Sequence, residues 1–73
     1  MALVEVESEV TGKIWKVQAE VGNAVAEGEV LVIVESMKME IPVESPVSGT
    51  LKELLVTKDD KVDEDQVIAL IEE

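Results

Sequence analysis

The sequence has no cysteine, no histidine, no arginine and a single aromatic residue, Trp15. Without cysteine there is neither a disulfide nor a thiolate metal site, and without histidine the commonest general base and metal ligand is missing. No segment resembles a signal peptide, and no apolar run approaches the roughly 20 residues of a membrane-spanning helix. We therefore expect a cytoplasmic protein with no metal centre and no catalytic residues of its own.

Length and charge limit the possibilities further. The 73 residues are enough for one domain, 1–73, with a small core. Seventeen acidic residues against six lysines give a net charge of −11, which repels phosphate backbones and anionic lipids. Nucleic acid and membrane are therefore not expected as partners, and we expect a monomer in isolation. The acidic surface either steers the domain towards a basic face of a partner enzyme or only keeps it soluble.

The apolar residues are almost all aliphatic, and they repeat. Valine and isoleucine supply 19 residues, which favours strands. Residues 8–35 align with residues 45–72 without a gap, at an offset of 37, through their apolar positions. Within each copy a spacing of three and then two between apolar residues predicts a β-bulge at the same place. The bulge is predicted within Ile14, Val17 and Ala19, and again within Leu51, Leu54 and Val56.

Turn residues divide each copy into short strands. Gly, Asn and Asp tolerate the backbone angles of tight turns. The turns are predicted at Val21-Gly22-Asn23, Glu27-Gly28-Glu29, Lys58-Asp59-Asp60 and Glu64-Asp65-Gln66. No stretch has a sustained helical period, so we expect an all-β fold of about eight short strands, four per copy, in a small sandwich or flattened barrel. Trp15 is predicted to be a packing residue.

The stretch from Glu35 to Glu40 joins the two copies and is unusual for a turn. Strand-forming residues lie on both sides of it, so it is predicted to be the reversal of a hairpin. Such turns normally use Gly, Asn or Asp, but here only Ser36, Met37, Lys38 and Met39 are available. On local grounds alone, the methionines could fill gaps in the core. Alternatively, Lys38 is displayed at the tip for function, and the exposed methionines are recognised by another protein.

Met37-Lys38-Met39, preceded by Glu35, resembles the attachment motif of the biotinyl/lipoyl domain family. Val21-Gly22-Asn23-Ala24-Val25 with Gly28, and Pro46-Val47-Ser48-Gly49-Thr50, are similar to two further segments of that family. The family's lysine lies about 35 residues from the end of the domain, and 73 − 38 gives 35 here. The resemblance covers almost the whole chain and is strongest with small free-standing biotin/lipoyl attachment proteins and with biotin carboxyl carrier domains.

The resemblance implies a fold and a function. The fold is a flattened β-barrel or sandwich of two four-stranded antiparallel sheets with internal pseudo-twofold symmetry, the "hammerhead" type, with the attachment lysine on a hairpin turn. The function is that of a non-catalytic biotin carrier. A biotin protein ligase would couple biotin, activated as an adenylate, to Lys38. The domain would then move carboxyl groups between the biotin carboxylase and carboxyltransferase subunits of a biotin-dependent carboxylase.

Other roles and alternatives follow from the same motif. Glu35, Ser36, Met37, Met39 and Glu40 are predicted to contact the ligase or other partners. Ser36 stands where many biotinyl domains have Ala, and Asp59 and Asp65 stand where Gly is frequent. One alternative is a lipoyl carrier, with lipoate as cofactor, of a 2-oxo acid dehydrogenase or glycine-cleavage system. Lipoyl domains usually have Asp and Ala beside the lysine, so the methionine pair favours biotin. The other alternative is an unmodified protein-interaction domain.

Overall fold

Eight short strands form the fold, four from each copy of the repeat. In the computed structural model, which describes residues 2–73, no residue is helical, so none of these residues forms a membrane-spanning helix. The first copy forms β1 (Leu3–Glu7), β2 (Gly12–Val17), β3 (Ala24–Val25) and β4 (Val30–Ser36). The second copy forms β5 (Met39–Glu44), β6 (Gly49–Leu54), β7 (Lys61–Val62) and β8 (Val67–Glu72). The predicted all-β fold of eight strands is confirmed.

The strands pair into two four-stranded antiparallel sheets. One sheet has the order β1-β8-β6-β3 and the other has the order β5-β4-β2-β7. Exchanging each strand with its equivalent in the other copy turns one sheet into the other, which is the expected pseudo-twofold symmetry. The symmetry extends beyond 8–35 and 45–72, because β1 and β5 are also equivalent. Since each sheet contains strands of both copies, neither copy can complete a sheet alone.

The core lies between the two sheets and is built from aliphatic side chains. Equivalent residues of the copies, such as Ile14 and Leu51 or Val34 and Ile71, are fully buried. Burying one such side chain stabilises a fold by roughly 1.5–3 kcal/mol relative to leaving it in water. The buried apolar side chains are Val6, Ile14, Ala19, Val25, Leu31, Val32, Val34, Val43, Leu51, Val56, Val62, Ile68, Ala69 and Ile71. This packing fixes the strands that carry the hairpin between β4 and β5.

A β-bulge interrupts the same strand in both copies. The register of β2 against β4 shifts between Ile14 and Lys16, and that of β6 against β8 shifts between Leu51 and Glu53. The extra residues are therefore Trp15 and Lys52, which are equivalent at the offset of 37. The predicted bulge is confirmed in both halves. The prediction that Trp15 is a packing residue is wrong, because the residue is 43% exposed and lies outside the core cluster.

The four predicted side turns are closely similar. Each turn has four residues and begins one residue before the predicted range, at Glu20, Ala26, Thr57 and Asp63. In each, the amide of the fourth residue donates to the carbonyl of the first, at distances between 3.0 and 3.2 Å. The third residue has a positive φ in all four: 94° at Gly22, 86° at Gly28, 76° at Asp59 and 69° at Asp65. A positive φ at this position is the requirement of a type II turn. The second copy therefore makes the same turns with aspartate where the first uses glycine.

Candidate functional site

The candidate site is the two-residue turn that joins β4 to β5. Ser36 pairs with Met39, so the turn itself consists of Met37 and Lys38. Their φ angles are 51° and 65°, as in the type I′ turns that match the twist of a hairpin. A side chain other than that of glycine costs about 1–2 kcal/mol in this region of backbone space. Two such residues in succession put Lys38 at the tip at the expense of local stability, which is typical of functional positions.

The side chains at the tip point to solvent. Met37 is 92% exposed and Met39 is 63% exposed, so neither fills a gap in the core. Lys38 is exposed as well, and within residues 2–73 the single ion pair joins Lys13 to Asp59. The Nζ atom of Lys38 is therefore accessible, with unbranched, adaptable apolar side chains on both sides. This arrangement presents one amine to a protein that recognises its neighbours.

Two carboxylates flank the turn. Glu35 and Glu40 lie directly opposite each other in the β4–β5 register, and both are exposed. Like charges in a cross-strand pair are mildly destabilising. Within residues 2–73, neither carboxylate lies within ion-pair distance of the Lys38 ammonium group. The two glutamates thus place negative charge at the base of the tip without holding the lysine down.

Ser36 ties the hairpin to the body of the domain. Its hydroxyl donates to the carbonyl of Thr11 at 2.9 Å, and the hydroxyl oxygen of Thr11 accepts from the amide of Glu64 at 3.1 Å. The second contact has an equivalent in the other half, where the hydroxyl oxygen of Ser48 accepts from the amide of Glu27 at 3.0 Å. The Ser36 contact has no such equivalent. Ser36 therefore has a visible structural role, besides the recognition role predicted for it.

Gly12 allows β2 to lie close to the strand that carries the hairpin, a role that the sequence analysis did not predict. A Cβ atom on Gly12 would collide with the carbonyl oxygen of Glu35 and would lie 2.8 Å from Cγ1 of Val34. Gly49, its equivalent, meets the carbonyl oxygen of Glu72 in the same way. Only glycine allows β2 to approach the strand that carries the hairpin so closely. The match of Gly12 with Gly49 in the repeat was the signal that could have revealed this role.

The structure brings together the whole predicted set, Glu35, Ser36, Met37, Lys38, Met39 and Glu40, on one hairpin. The other lysines lie on β2, β6, β7 or a side turn. No cluster of three or more potential metal ligands occurs within residues 2–73. The hairpin itself provides an exposed amine, which is a nucleophile once it has lost its proton. It is suited to accept an acyl group from another protein, and an exposed amine on a rigid support fits a covalently held cofactor.

Comparisons with known proteins agree with this geometry. Residues 2–71 match the model of the biotin/lipoyl family, described as "Biotin-requiring enzyme". The biotin/lipoyl attachment protein of Bacillus subtilis is 38% identical over 60 residues, which cover 82% of this chain and 82% of that protein. The "Biotinylated protein TB7.3 homolog" of Mycobacterium leprae is 36% identical over 67 residues, covering 92% of this chain and 94% of that protein.

A solved structure supports the same relationship. The urea carboxylase of Kluyveromyces lactis superimposes with a TM-score of 0.92 and 34% sequence identity over 97% of this chain. The match covers only 6% of that enzyme, so the chain corresponds to a small part of a large protein. The family model spans nearly all of the sequence, and the relatives and the fold agree with it. The chain therefore belongs to the biotin/lipoyl family.

Proposed function

We propose that this domain carries biotin as an amide on Lys38 and moves carboxyl groups between the active sites of a biotin-dependent carboxylase. The observation that carries the proposal is the strained two-residue turn, which displays Lys38 between two exposed methionines. A lysine whose only role is solubility does not need two successive residues with positive φ. The names of the relatives, one of them a biotinylated protein and one a carboxylase, favour biotin over lipoate.

The modification needs only a nucleophile from this chain. A protonated amine has no electron pair with which to form a bond, so the ligase must promote loss of a proton from Lys38. The neutral Nζ atom then forms a bond to the carboxyl carbon of biotin held as its adenylate. The bond from this carbon to the phosphate oxygen breaks, and AMP leaves. The proton released by Lys38 goes to a base of the ligase or to solvent.

After coupling, the chain acts as a support and not as a catalyst. Biotin supplies the group that accepts and releases the carboxyl function, as cofactors do in group transfer. The amide removes the charge of Lys38 and leaves its four methylenes as part of a flexible tether. The β4–β5 strands, anchored in the core and by Ser36 and Gly12, determine where this tether begins. Tethering raises the effective concentration of the carried group at each active site.

The residues around the tip bind the partner proteins. Glu35, Ser36, Met37, Met39 and Glu40 contact the biotin protein ligase and the carboxylase components. Exposure of both methionines and the placement of the glutamates beside the turn support this role. The partners are a biotin protein ligase, a biotin carboxylase and a carboxyltransferase, and the domain works as one component of that assembly. We place it in the cytoplasm, as a monomer when it is separate from its partners.

Intact mass spectrometry after co-expression with a biotin protein ligase tests the proposal. We expect a mass increase of one biotinyl group, mapped to Lys38 by peptide sequencing. Lys38→Arg keeps the positive charge but removes the amine that forms the amide, so streptavidin should no longer detect the protein. Lys52→Arg is the matched control and should be labelled normally. Labelling of Lys38→Arg at another lysine would contradict the assignment, and coupling of lipoate but not biotin by the respective ligases would favour the lipoyl alternative.

A further inference from the structure

An open groove lies away from the attachment hairpin, between the ends of β2 and β6. Its volume is about 620 Å³. Val17, Leu54 and Val56 contribute its apolar lining, and Trp15 forms one side. Val17 and Leu54 are equivalent residues of the two copies, so the groove lies near the pseudo-twofold axis. Val17 pairs with Val32, four residues along β4 from Ser36, which places this part of the groove about 13 Å from the turn.

Trp15 gives this groove its apolar character. It is the extra residue of the bulge in β2, and its equivalent in β6 is Lys52, a residue suited to solvent. A tryptophan at such a position is exposed to water although the surface is otherwise strongly acidic. Exposed aromatic side chains beside an apolar depression are typical of surfaces that bind other proteins.

The charged residues that line the groove are lysines, although the domain as a whole is strongly acidic. Lys16 and Lys58 line it and no carboxylate does, whereas two other grooves of the described surface are lined by glutamates, including Glu44. Two carboxylates follow Lys58 in the chain: that of Asp59 pairs with Lys13 at 3.6 Å, and that of Asp60 accepts from the amide of Thr57 at 2.9 Å. Since the contact of Lys13 with Asp59 is the single ion pair within residues 2–73, the ammonium groups of Lys16 and Lys58 are available to a ligand.

We propose that this groove is a docking site for an acidic, apolar segment of a partner protein. Leucine-like side chains of the segment pack against Trp15 and Val17, and carboxylates on either side of them bind Lys16 and Lys58. A second copy of this chain would bring a whole domain of net charge −11 against this one, whereas a short segment places only a few carboxylates, directly beside Lys16 and Lys58. Docking here leaves the hairpin free while the domain is held close to its partner. The proposal goes beyond the carrier function and does not require modification of Lys38.

A tryptophan fluorescence titration tests this proposal, because Trp15 is the only aromatic residue and reports directly on the groove. The probe is a synthetic blocked peptide, Glu-Leu-Leu-Glu, added to the unmodified protein at low ionic strength. We expect a saturable blue shift with this peptide. Two control peptides, one with lysine in place of glutamate and one with serine in place of leucine, should bind more weakly. A basic peptide that binds as tightly as the acidic one would overturn the proposal, as would the absence of any saturable change.

Charge-reversal variants distinguish binding by the lysines of the groove from an effect of the net charge of the domain. Lys16→Glu or Lys58→Glu should each weaken binding by about fivefold, since an attractive exposed pair becomes repulsive. Lys52→Glu makes the same change in net charge on β6, outside the groove lining, and should have much less effect. An equal loss with Lys52→Glu would show that only net charge matters and would refute the site.

Two further variants, Trp15→Lys and Lys38→Arg, and the oligomeric state of the free protein provide additional tests. Trp15→Lys introduces the residue that the second copy has at this place, so the fold should persist in thermal melting. Its affinity, measured by calorimetry, should fall at least about fivefold. Self-association of the free protein in sedimentation equilibrium that Trp15→Lys abolishes would overturn the proposal in favour of a second copy. The same titration on Lys38→Arg should be unchanged, so failure of the carrier function and failure of docking are distinguishable.

Discussion

Replacing the turn at Met37 and Lys38 by Asn and Gly should stabilise the domain while abolishing its modification. Asn-Gly is the preferred sequence of a type I′ turn, because both residues accept a positive φ. The present residues cost about 1–2 kcal/mol each in this conformation. Glycine reduces the gain by about 0.4–1 kcal/mol, because it makes the unfolded chain more flexible. Asparagine still bears part of the cost of a positive φ, so the expected net increase in the free energy of unfolding is about 1–2 kcal/mol.

Other consequences of this double substitution are small. Met37 is 92% exposed, so loss of its side chain removes only about 0.2 kcal/mol of burial. Loss of the Lys38 charge beside two exposed glutamates should cost less than about 0.5 kcal/mol. In a domain of this size, a gain of 1–2 kcal/mol corresponds to an increase in Tm of roughly 5–15 °C.

Thermal and urea denaturation of the unmodified proteins measure the effect. Met39→Asn is the matched control, because it makes the same side-chain change one position after the turn, where the backbone is extended. It should not raise Tm. Met37→Asn alone should give part of the gain and retain Lys38. Equal or lower stability of the double variant would refute the idea that the turn stores strain, and equal gains from Met39→Asn would show that the effect does not arise in the turn.

The remaining predictions concern the methionines, the serine and the side turns. Met37→Ala should change the free energy of unfolding by less than about 0.5 kcal/mol, and Met39→Ala by about 1 kcal/mol at most. Both variants should lose most of the biotinylation rate. A large drop in Tm with normal biotinylation would instead show that the methionines are packing residues. Ser36→Ala should cost about 1 kcal/mol in urea denaturation, through the lost contact to Thr11. Gly28→Ala should lower stability by about 1 kcal/mol through its positive φ alone, since a Cβ there meets no neighbour, whereas Asp65→Gly should be neutral or stabilising in the same assay.

The repeat explains why so much of the fold could be predicted. The offset of 37 fixed which residues are equivalent, so one bulge and two turns implied two bulges and four turns. It also accounts for the φ angles of Asp59 and Asp65, which stand where the first copy has Gly22 and Gly28. Equivalent residues adopt the same backbone conformation because each copy forms equivalent strands and an equivalent half of the one core.

The side-chain details that sequence reasoning missed are those that break the repeat. Trp15 was predicted to be a packing residue, but it is the extra residue of the bulge, so it has no partner residue on β4 and is exposed. Its alignment with Lys52 already indicated an exposed position. The contact of Ser36 with Thr11 could not be predicted, because it depends on how closely β2 approaches the hairpin, and no equivalent residue in the second copy makes it.

The same symmetry relates the base of the attachment hairpin to a second pair of residues. Ser36 and Met39 face each other at the base of the turn, and at the offset of 37 their equivalents are Glu73 and Ala2. The amide of Glu73 donates to the carbonyl of Ala2 at 2.9 Å, so the two ends of the described chain meet where the other half has its hairpin. Between Ser36 and Met39, the turn of Met37 and Lys38 joins the last strand of the first copy to the first strand of the second. The attachment site is therefore the junction between the two copies.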